Sequence, residues 1–447
     1  MSSSKGSSAT ARICCQIPAQ FKCITADSRL FQKNKARSQK AGCISEPFLY
    51  PVVGYAICRE RKHREDLFGF PRFGVSLLPS ILSVVGARPQ FVKAAVVSKA
   101  FASIGVDEAV VHTGQHYDDA MSGQFLSQLG MDNIAINLTV GSGNHSLQTA
   151  GIMTGLQEYL DAQASLPKAI VVYGDTNSTI AASLVAAKLG VPIMHVEAGL
   201  RSYNRAMPEE INRVMTDHVS ELLFCSSETG VENLRKEGIV RNVFNVGDVM
   251  LDGFLVYRDI ARDLAGQGKI TRPPIDAPFC LATIHRPSNT DCPERLQTVI
   301  SSLGRLEKTV VWPVHPRNRS ALRNMNIPDN LNCIDPVGYL EMLLLLDTCD
   351  AVLTDSGGLQ KEAHWAKRPC ITLRDETEWT ETLEGGWNQL ANPAQDDVAA
   401  LAGRSPGAPW RLLYGDGNAA MKIANTISEH LHLNRGPAIG SKHRSVV

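Results

Sequence analysis

The chain has no C-x-x-C pair, no G-x-x-x-x-G-K-[ST] loop, no D-x-D pair and no long uninterrupted apolar run. The first absence removes the usual spacing of a structural zinc site. Five of the 11 cysteines fall in the first 58 residues, and Cys225, Cys280 and Cys370 sit in apolar strand-like runs. They read as reduced core thiols in a reducing, cytoplasmic compartment rather than as a disulfide framework. Without the second motif there is no P-loop, and without the third the metal-chelating signal of one class of sugar-nucleotide transferase is missing. A membrane helix needs about 18 apolar residues in a row, and the best stretch, 73–87, is short and broken by Pro79. Lys plus Arg and Asp plus Glu both number 45, so no global basic field favours nucleic acid or a membrane surface. A G-x-G-x-x-A string at 415–420 has no strand pattern before it and fails as a dinucleotide fingerprint.

What is present is length and alternation. At 447 residues the chain is long enough for two domains. Its first 70 residues hold twelve Lys or Arg against five acids, with many serines but no sustained amphipathic period. That bias is shared with transit peptides, but the segment reads better as a flexible or non-native extension. From Ile81 onward short apolar runs alternate with helical patterns, as in repeated βα units. Strands are expected at 81–85, 109–112, 169–173, 191–196, 222–225 and 243–246. After Gly266-Gln267-Gly268 and Pro273-Pro274 they resume at 279–284, 309–314, 331–334, 351–354 and 369–373. Pro89 suits the first turn of a helix, and Gly190 suits the end of one over 179–189. The expected fold is α/β, two Rossmann-like doubly wound domains facing across a cleft. The expected division is an extension (1–78), a first domain (79–250), a second (251–415), a helix packing back on the first (416–432) and a tail (433–447).

Residues 173–213 carry most of the chemistry: Y-G-D-T-N-S-T, a helical stretch, H-V-E-A-G-L-R, then P-E-E-I-N-R. Asp175 and Glu197 end consecutive strands and Glu209 opens the next helix, with Arg201 and Arg213 near in sequence. Neighbouring parallel strands deliver their C-terminal residues to one crevice, so three carboxylates meet there for proton transfer on an anionic substrate. Glu209, Arg213 and Asp217 share one helical face while Ile211, Val214 and Met215 fill another, which also fits a helix with two exposed ion pairs.

L-T-D-S-G-G-L-Q-K-E-A (353–363) is a strand, a small-residue turn and a helix start. Gly357 and Gly358 would let a phosphate reach first-turn N–H groups, and Glu362 would reach a ribose diol. The same segment also reads as an ordinary turn with Ser356 as N-cap. Arg88, after the first strand, suits a phosphate clamp from the opposite wall, with Lys93 one turn further on. His112, His195, His285 and His315 recur at strand ends. His112 and His116 have i, i+4 spacing, but Thr113-Gly114 between them argues for a loop, so no metal is assigned.

Taken in order, G-A-R-P-Q-F-V-K, T-G-Q-H-Y-D, Y-G-D-T-N-S-T, H-V-E-A-G-L-R, P-E-E-I-N-R, N-V-G-D, T-I-H-R, V-H-P-R and D-S-G-G-L-Q-K-E-A resemble the non-hydrolysing UDP-N-acetylglucosamine 2-epimerases, over about 81–431. The resemblance implies a glycosyltransferase-B-like fold, with UDP bound by the second domain, and a homodimer. It implies reversible inversion at C2, interconverting UDP-N-acetylglucosamine and UDP-N-acetylmannosamine for surface polysaccharide synthesis. UDP would be eliminated to a glycal and added back, with no external cofactor. It further implies Asp175, Glu197, Glu209 and His285 as catalytic residues, and Arg88, Lys93, Arg213, Ser356, Gly357, Gly358 and Glu362 as substrate or UDP contacts. In some members the T-G-Q-H loop serves a regulatory substrate site, which here implies Gln115, His116 and His315. Three departures stand out: Gln90 where many members have Glu, Ser288 where an acid usually precedes the Asn, and R-D-E-T-E-W-T-E-T with G-W-N. The last resembles a branch acting on diacetamido-uronic acid nucleotides, so UDP-2,3-diacetamido-2,3-dideoxyglucuronate is the alternative substrate. A glycosyltransferase-B-type UDP-sugar transferase is a further alternative.

Overall fold

The computed structural model describes residues 78–115, 126–271, 273, 275, 278–315 and 318–433, all within one compact unit, Gly69–Val447. The expectations for the extension and the tail fall outside this set, but for Leu78 and Leu433.

The first sheet contains β1 (Ile81–Val85), β2 (Glu108–His112), β3 (Ile134–Asn137), β4 (Ala169–Tyr173), β5 (Ile193–Ala198), β6 (Leu222–Cys225) and β7 (Val243–Asn245), in the order 3-2-1-4-5-6-7. The second contains β8 (Phe279–Thr283), β9 (Thr309–Pro313), β10 (Leu331–Ile334), β11 (Ala351–Thr354), β12 (Cys370–Thr372) and β13 (Asn388–Leu390), in the order 10-9-8-11-12-13. Every pairing is parallel. Parallel sheets are covered on both faces, so their strands read as continuous apolar runs. Ile81–Val85 and Ala169–Tyr173 are buried at every position.

In each sheet the strand order reverses once, between β1 and β4 and between β8 and β11. Ligands of doubly wound sheets bind at the strand C-termini beside that reversal. Gly86–Arg88 and Gly174–Asp175 follow β1 and β4, while Ile284–His285 and Asp355–Ser356 follow β8 and β11. The fold therefore places the sequence's chemical segments at its two switch points.

The helices start and stop for local reasons. Thr176 accepts a hydrogen bond from the Thr179 N–H to cap Asn177–Leu189, and Gly190 ends that helix at φ 69°. The helix Val249–Gly266 packs on the first helix, Arg88–Ser103, and on Tyr339–Thr348 of the second half. The last helix, Ala419–His430, packs against Arg88–Ser103 and Val249–Gly266. One core cluster runs through both sheets, joining Tyr173 and Phe224 to Phe279 and Val311.

Asp252 pins that returning helix, its Oδ2 accepting from the Ala420 N–H at 2.8 Å. Burial raises its carboxyl to about 6, against backbone hydrogen bonds from Ala420 and Ala419. The native state thus holds its proton more tightly than the unfolded chain, whose carboxyl titrates near 3.8. Its contribution to stability is present below that value and lost as pH rises through about 6. Accordingly, the melting temperature of Asp252→Asn relative to the parent is expected to rise between pH 4 and 6 and then level off. A constant difference across the range would refute this.

Candidate active site

A cleft of about 690 Å³ opens between the two switch points. Of the residues singled out from sequence, Arg88, Lys93, Asp175, Glu197, Glu209, Arg213, His285, His315, Ser356, Gly357, Gly358 and Glu362 all line it. Gln115 does not: its Oε1 accepts from the Ser178 N–H and hydroxyl at 3.1 and 2.7 Å. His116 lies outside the described residues. Of the two described members of the regulatory trio, His315 lines the cleft and Gln115 does not, the His315 ring centroid lying 6.4 Å from that of His285.

Glu197 is aimed by its backbone. The β5–β6 register slips between Val196 and Ala198, leaving Glu197 as the extra residue of a bulge at φ 71°. Bulges re-aim side chains beside active sites, and a positive φ in a non-glycine residue is strain held by its surroundings. Its Oε2 accepts from Lys93, and its Oε1 lies 3.4 Å from the Lys361 Nζ. Burial pushes the Glu197 carboxyl up, but Lys93 and Lys361 outweigh it and hold it at about 2.

Asp175 receives Arg213, whose Nη2 and Nε donate to Oδ2 at 2.6 and 2.9 Å. Burial nevertheless raises its carboxyl above the ordinary range; Arg213 opposes this and the charge of Glu197 adds to it. Two neighbouring acids are thereby driven apart, one held down as the anion and the other raised. Glu209 stands at the mouth, in the first turn of the helix Pro208–Val219.

That helix corrects the surface-ion-pair reading. Arg213 pairs with Asp175 and with Glu210, three residues back, at 2.9 Å to the latter, rather than with Glu209. Asp217 pairs with His195 and Arg201, each at 2.7 Å, rather than with Arg213. Glu210, Asn212, Arg213, Thr216 and Asp217 are buried, while Ile211, Met215 and Val219 are 46, 42 and 38% exposed. The polar face packs inward and the apolar face looks out.

Opposite the acids, Ser356 caps the helix Gly357–Trp365 by accepting from the Leu359 N–H at 3.3 Å. The N-cap reading of this turn holds, and the cap leaves the first-turn N–H groups of Gly357 and Gly358 outside the helical ladder. A Cβ on Gly358 would meet nothing within 4 Å, so its surroundings leave room for a ligand. Glu362 lies deeper, its Oε1 accepting from the Tyr339 hydroxyl at 3.0 Å, and burial raises its carboxyl. His285 is oriented through its backbone: its N–H and that of Arg286 donate to the Asp355 carboxylate at 2.9–3.1 Å. His195 is buried with both ring nitrogens engaged and takes no part in the lining.

Gln90 explains one departure. Its Oε1 accepts from the Gly86 and Ala87 N–H groups at 2.8 and 3.0 Å, while its Nε2 donates to the Tyr173 carbonyl at 2.6 Å. A glutamate's ionised carboxylate would have nothing to donate there. Sequence reasoning missed Arg286, Tyr339, Lys361, Glu378 and Trp379, which also line the cleft. The signal lay in the quoted motifs themselves, since Arg286 follows His285 and Lys361 precedes Glu362. Among the described residues no three His, Cys, Asp or Glu side chains converge as metal ligands.

Paired parallel sheets with a helix N-terminus facing clustered acids define a two-domain enzyme of the glycosyltransferase-B-like kind. The family model described as UDP-N-acetylglucosamine 2-epimerase matches residues 99–428. A UDP-2,3-diacetamido-2,3-dideoxy-D-glucuronate 2-epimerase of Pseudomonas aeruginosa is 43% identical, over 78% of this chain and 99% of its own. The crystal structure of Methanocaldococcus jannaschii UDP-GlcNAc 2-epimerase in complex with UDP-GlcNAc and UDP matches with a TM-score of 0.71 at 34% identity, covering 78% of this chain and 99% of that one. The Neisseria meningitidis enzyme bound to UDP-GlcNAc matches with a TM-score of 0.67 at 27% identity, over the same shares. The chain belongs to the UDP-N-acetylglucosamine 2-epimerase family and is an isomerase of that class.

Proposed function

We propose that the protein inverts C2 of a UDP-N-acetylhexosamine, interconverting UDP-N-acetylglucosamine and UDP-N-acetylmannosamine. The observation that carries this is the pair of acids, Glu197 held ionised and Asp175 raised, set across the cleft from the open turn at Gly357–Gly358. Glu197 takes the C2 proton, the C–H electron pair becomes the C1=C2 double bond, and the C1–O bond breaks with UDP leaving as the anion. Asp175 returns a proton to C2 from the other face, UDP re-adds at C1, and in reverse the two acids exchange duties. Arg88 and the Gly357–Gly358 turn take the diphosphate, Glu362 the ribose, and Glu209, Arg213 and His285 the sugar and the departing charge.

Incubation with UDP-N-acetylglucosamine alone in deuterated water tests this. Deuterium at C2 of recovered nucleotide sugar is the expected result; a sugar transferase needs an acceptor and would leave C2 unlabelled. A second substrate has its own support. Arg286 lines the cleft with no hydrogen-bonded side-chain partner among the described residues, and its charged neighbours are Arg374 of the R-D-E-T-E-W segment and the carboxylates Glu378, Asp355 and Glu209. A guanidinium on the lining with no side-chain hydrogen bond suits a uronic acid carboxylate, as in UDP-2,3-diacetamido-2,3-dideoxyglucuronate, the sugar in the name of the 43% identical relative. Running both nucleotides in the same assay separates the two.

The outward apolar row Ile211, Met215 and Val219, at i, i+4 and i+8, supports a homodimer. Met215→Glu is expected to halve the mass measured by light scattering, and an unchanged mass would refute this face as the interface. We place the enzyme in the cytoplasm, where its described cysteines, all free and four of them buried, stay reduced. Among the described residues no helix is long and apolar enough to cross a membrane.

A further inference from the structure

Lys361 is 2% exposed and sits one turn into the helix Gly357–Trp365. Its ammonium touches three things at once: the Glu197 Oε1 at 3.4 Å, the Asp248 carboxylate, and the face of the Trp379 indole, 3.4 Å from its centroid. Lys93 holds the other oxygen of Glu197 from the first helix. Two ammonium groups and two carboxylates thus close a neutral cluster at the floor of the cleft, with Asp175 facing Glu197 and Glu362 facing Lys361.

A buried ion pair is weak support for stability, because desolvation offsets its attraction. A lysine here therefore calls for a role beyond holding the fold. The helix that carries Lys361 presents Gly357 and Gly358 to the cleft at its first turn. Glu197 stands on the opposite sheet at a strained bulge residue, which only its surroundings hold in place.

We propose that Lys361 is a positioning residue that ties the Glu197 carboxylate to the helix receiving the nucleotide diphosphate. Both walls of the cleft then set the orientation of the acid, Lys93 from one and Lys361 from the other. The nucleotide-binding element and the proton-transferring carboxylate move as one piece. This rests on the C2-epimerase reading.

The double variant Lys361→Met/Asp248→Asn tests it, because it removes one positive and one negative charge together and leaves the net charge of the cluster unchanged. Asp248 also caps the helix Val249–Gly266 by accepting from the Met250 N–H at 2.8 Å, which an asparagine oxygen does as well. Misplacing a reacting group by about 1 Å costs roughly a hundredfold in rate. The expected result is a kcat about a hundredfold lower, with KM, the UDP dissociation constant and the melting temperature close to the parent's. A parental kcat overturns the proposal, as does a loss of UDP affinity or of melting temperature in step with kcat. Deuterium uptake at C2 by the parent protein keeps the two readings apart. No uptake by the parent overturns the epimerase reading and this proposal with it. Equal uptake by parent and double variant overturns this proposal alone.

Discussion

Asp175→Asn, Glu197→Gln and Glu209→Gln each lower turnover by at least about a hundredfold, the scale of a lost acid–base group, while UDP continues to bind. Asp175→Asn is the cleanest of the three. The amide keeps the side chain's shape and can still accept from Arg213, but it cannot carry a proton to or from C2. Glu197→Gln takes away the anion between Lys93 and Lys361, so this variant should also melt lower, since buried cations left without a partner are costly. Glu209 stands at the mouth in the first turn of its helix, and its loss should leave the melting temperature unchanged. Calorimetric titration with UDP separates chemistry from binding, because the proposed diphosphate site is the turn at Gly357–Gly358, away from the acids. Near-parental rates in all three variants would reject the mechanism. Loss of UDP binding in all three would show that the acids build the pocket rather than perform the reaction.

Much of this site was legible because parallel α/β folds write their function at strand ends. The strands 81–85, 169–173, 222–225, 331–334 and 351–354 appear with the bounds expected from sequence, and residues just after the four switch-point strands line the cleft. Fully buried strands leave a plain apolar run, and a run ending in Asp, Glu or His beside a reversal of strand order has little else to do. Two of the four edge strands were harder. β3 (IAIN) and β13 (NQL) are short, half-exposed and lack such a run, so neither was expected. The helix His145–Asp161 was missed for a related reason, its buried stripe of Ile152, Gly155, Leu156 and Tyr159 being diluted by glycines and glutamines.

The tertiary details were out of reach for a different reason. Nothing local marks Glu197 as a bulge residue; the register slip exists only against β6. Nor does helical spacing show which face of Pro208–Val219 turns inward. Hydrophobicity alone would bury Ile211 and Met215, yet the polar face wins because its partners, Asp175, His195 and Arg201, arrive from elsewhere in the chain. Lys361 is legible as a letter in Q-K-E, but its meaning depends on Glu197, Asp248 and Trp379 meeting over it.

Asp217→Ala should be the most damaging single change to stability, costing about 3–5 kcal/mol. Asp217 is 1% exposed and accepts from His195 on one oxygen and from Arg201 and the Gly199 N–H on the other, at 2.7, 2.7 and 3.2 Å. Removing it leaves a buried guanidinium and a buried imidazole facing an empty space. Arg201 keeps Glu237, whose two oxygens take its Nε and Nη2 at 2.7 Å, so the guanidinium stays anchored and cannot swing out to water. The loss reaches the active site through His195, whose Nε2 lies 2.8 Å from the carbonyl of Gly174, the residue just before Asp175. Burial pushes the Asp217 carboxyl up, but His195 and Arg201 outweigh it and hold it below its ordinary value of 3.8. Its contribution to stability is therefore full above that value and lost only as pH falls through the lower folded-state value. At neutral pH the variant should melt roughly 4–7 °C lower, and Asp217→Asn, which keeps the volume and one acceptor, should fall between the two. If Asp217→Ala melts with the parent at pH 7, the buried network is ornamental, and the inward-facing polar helix would need another cause.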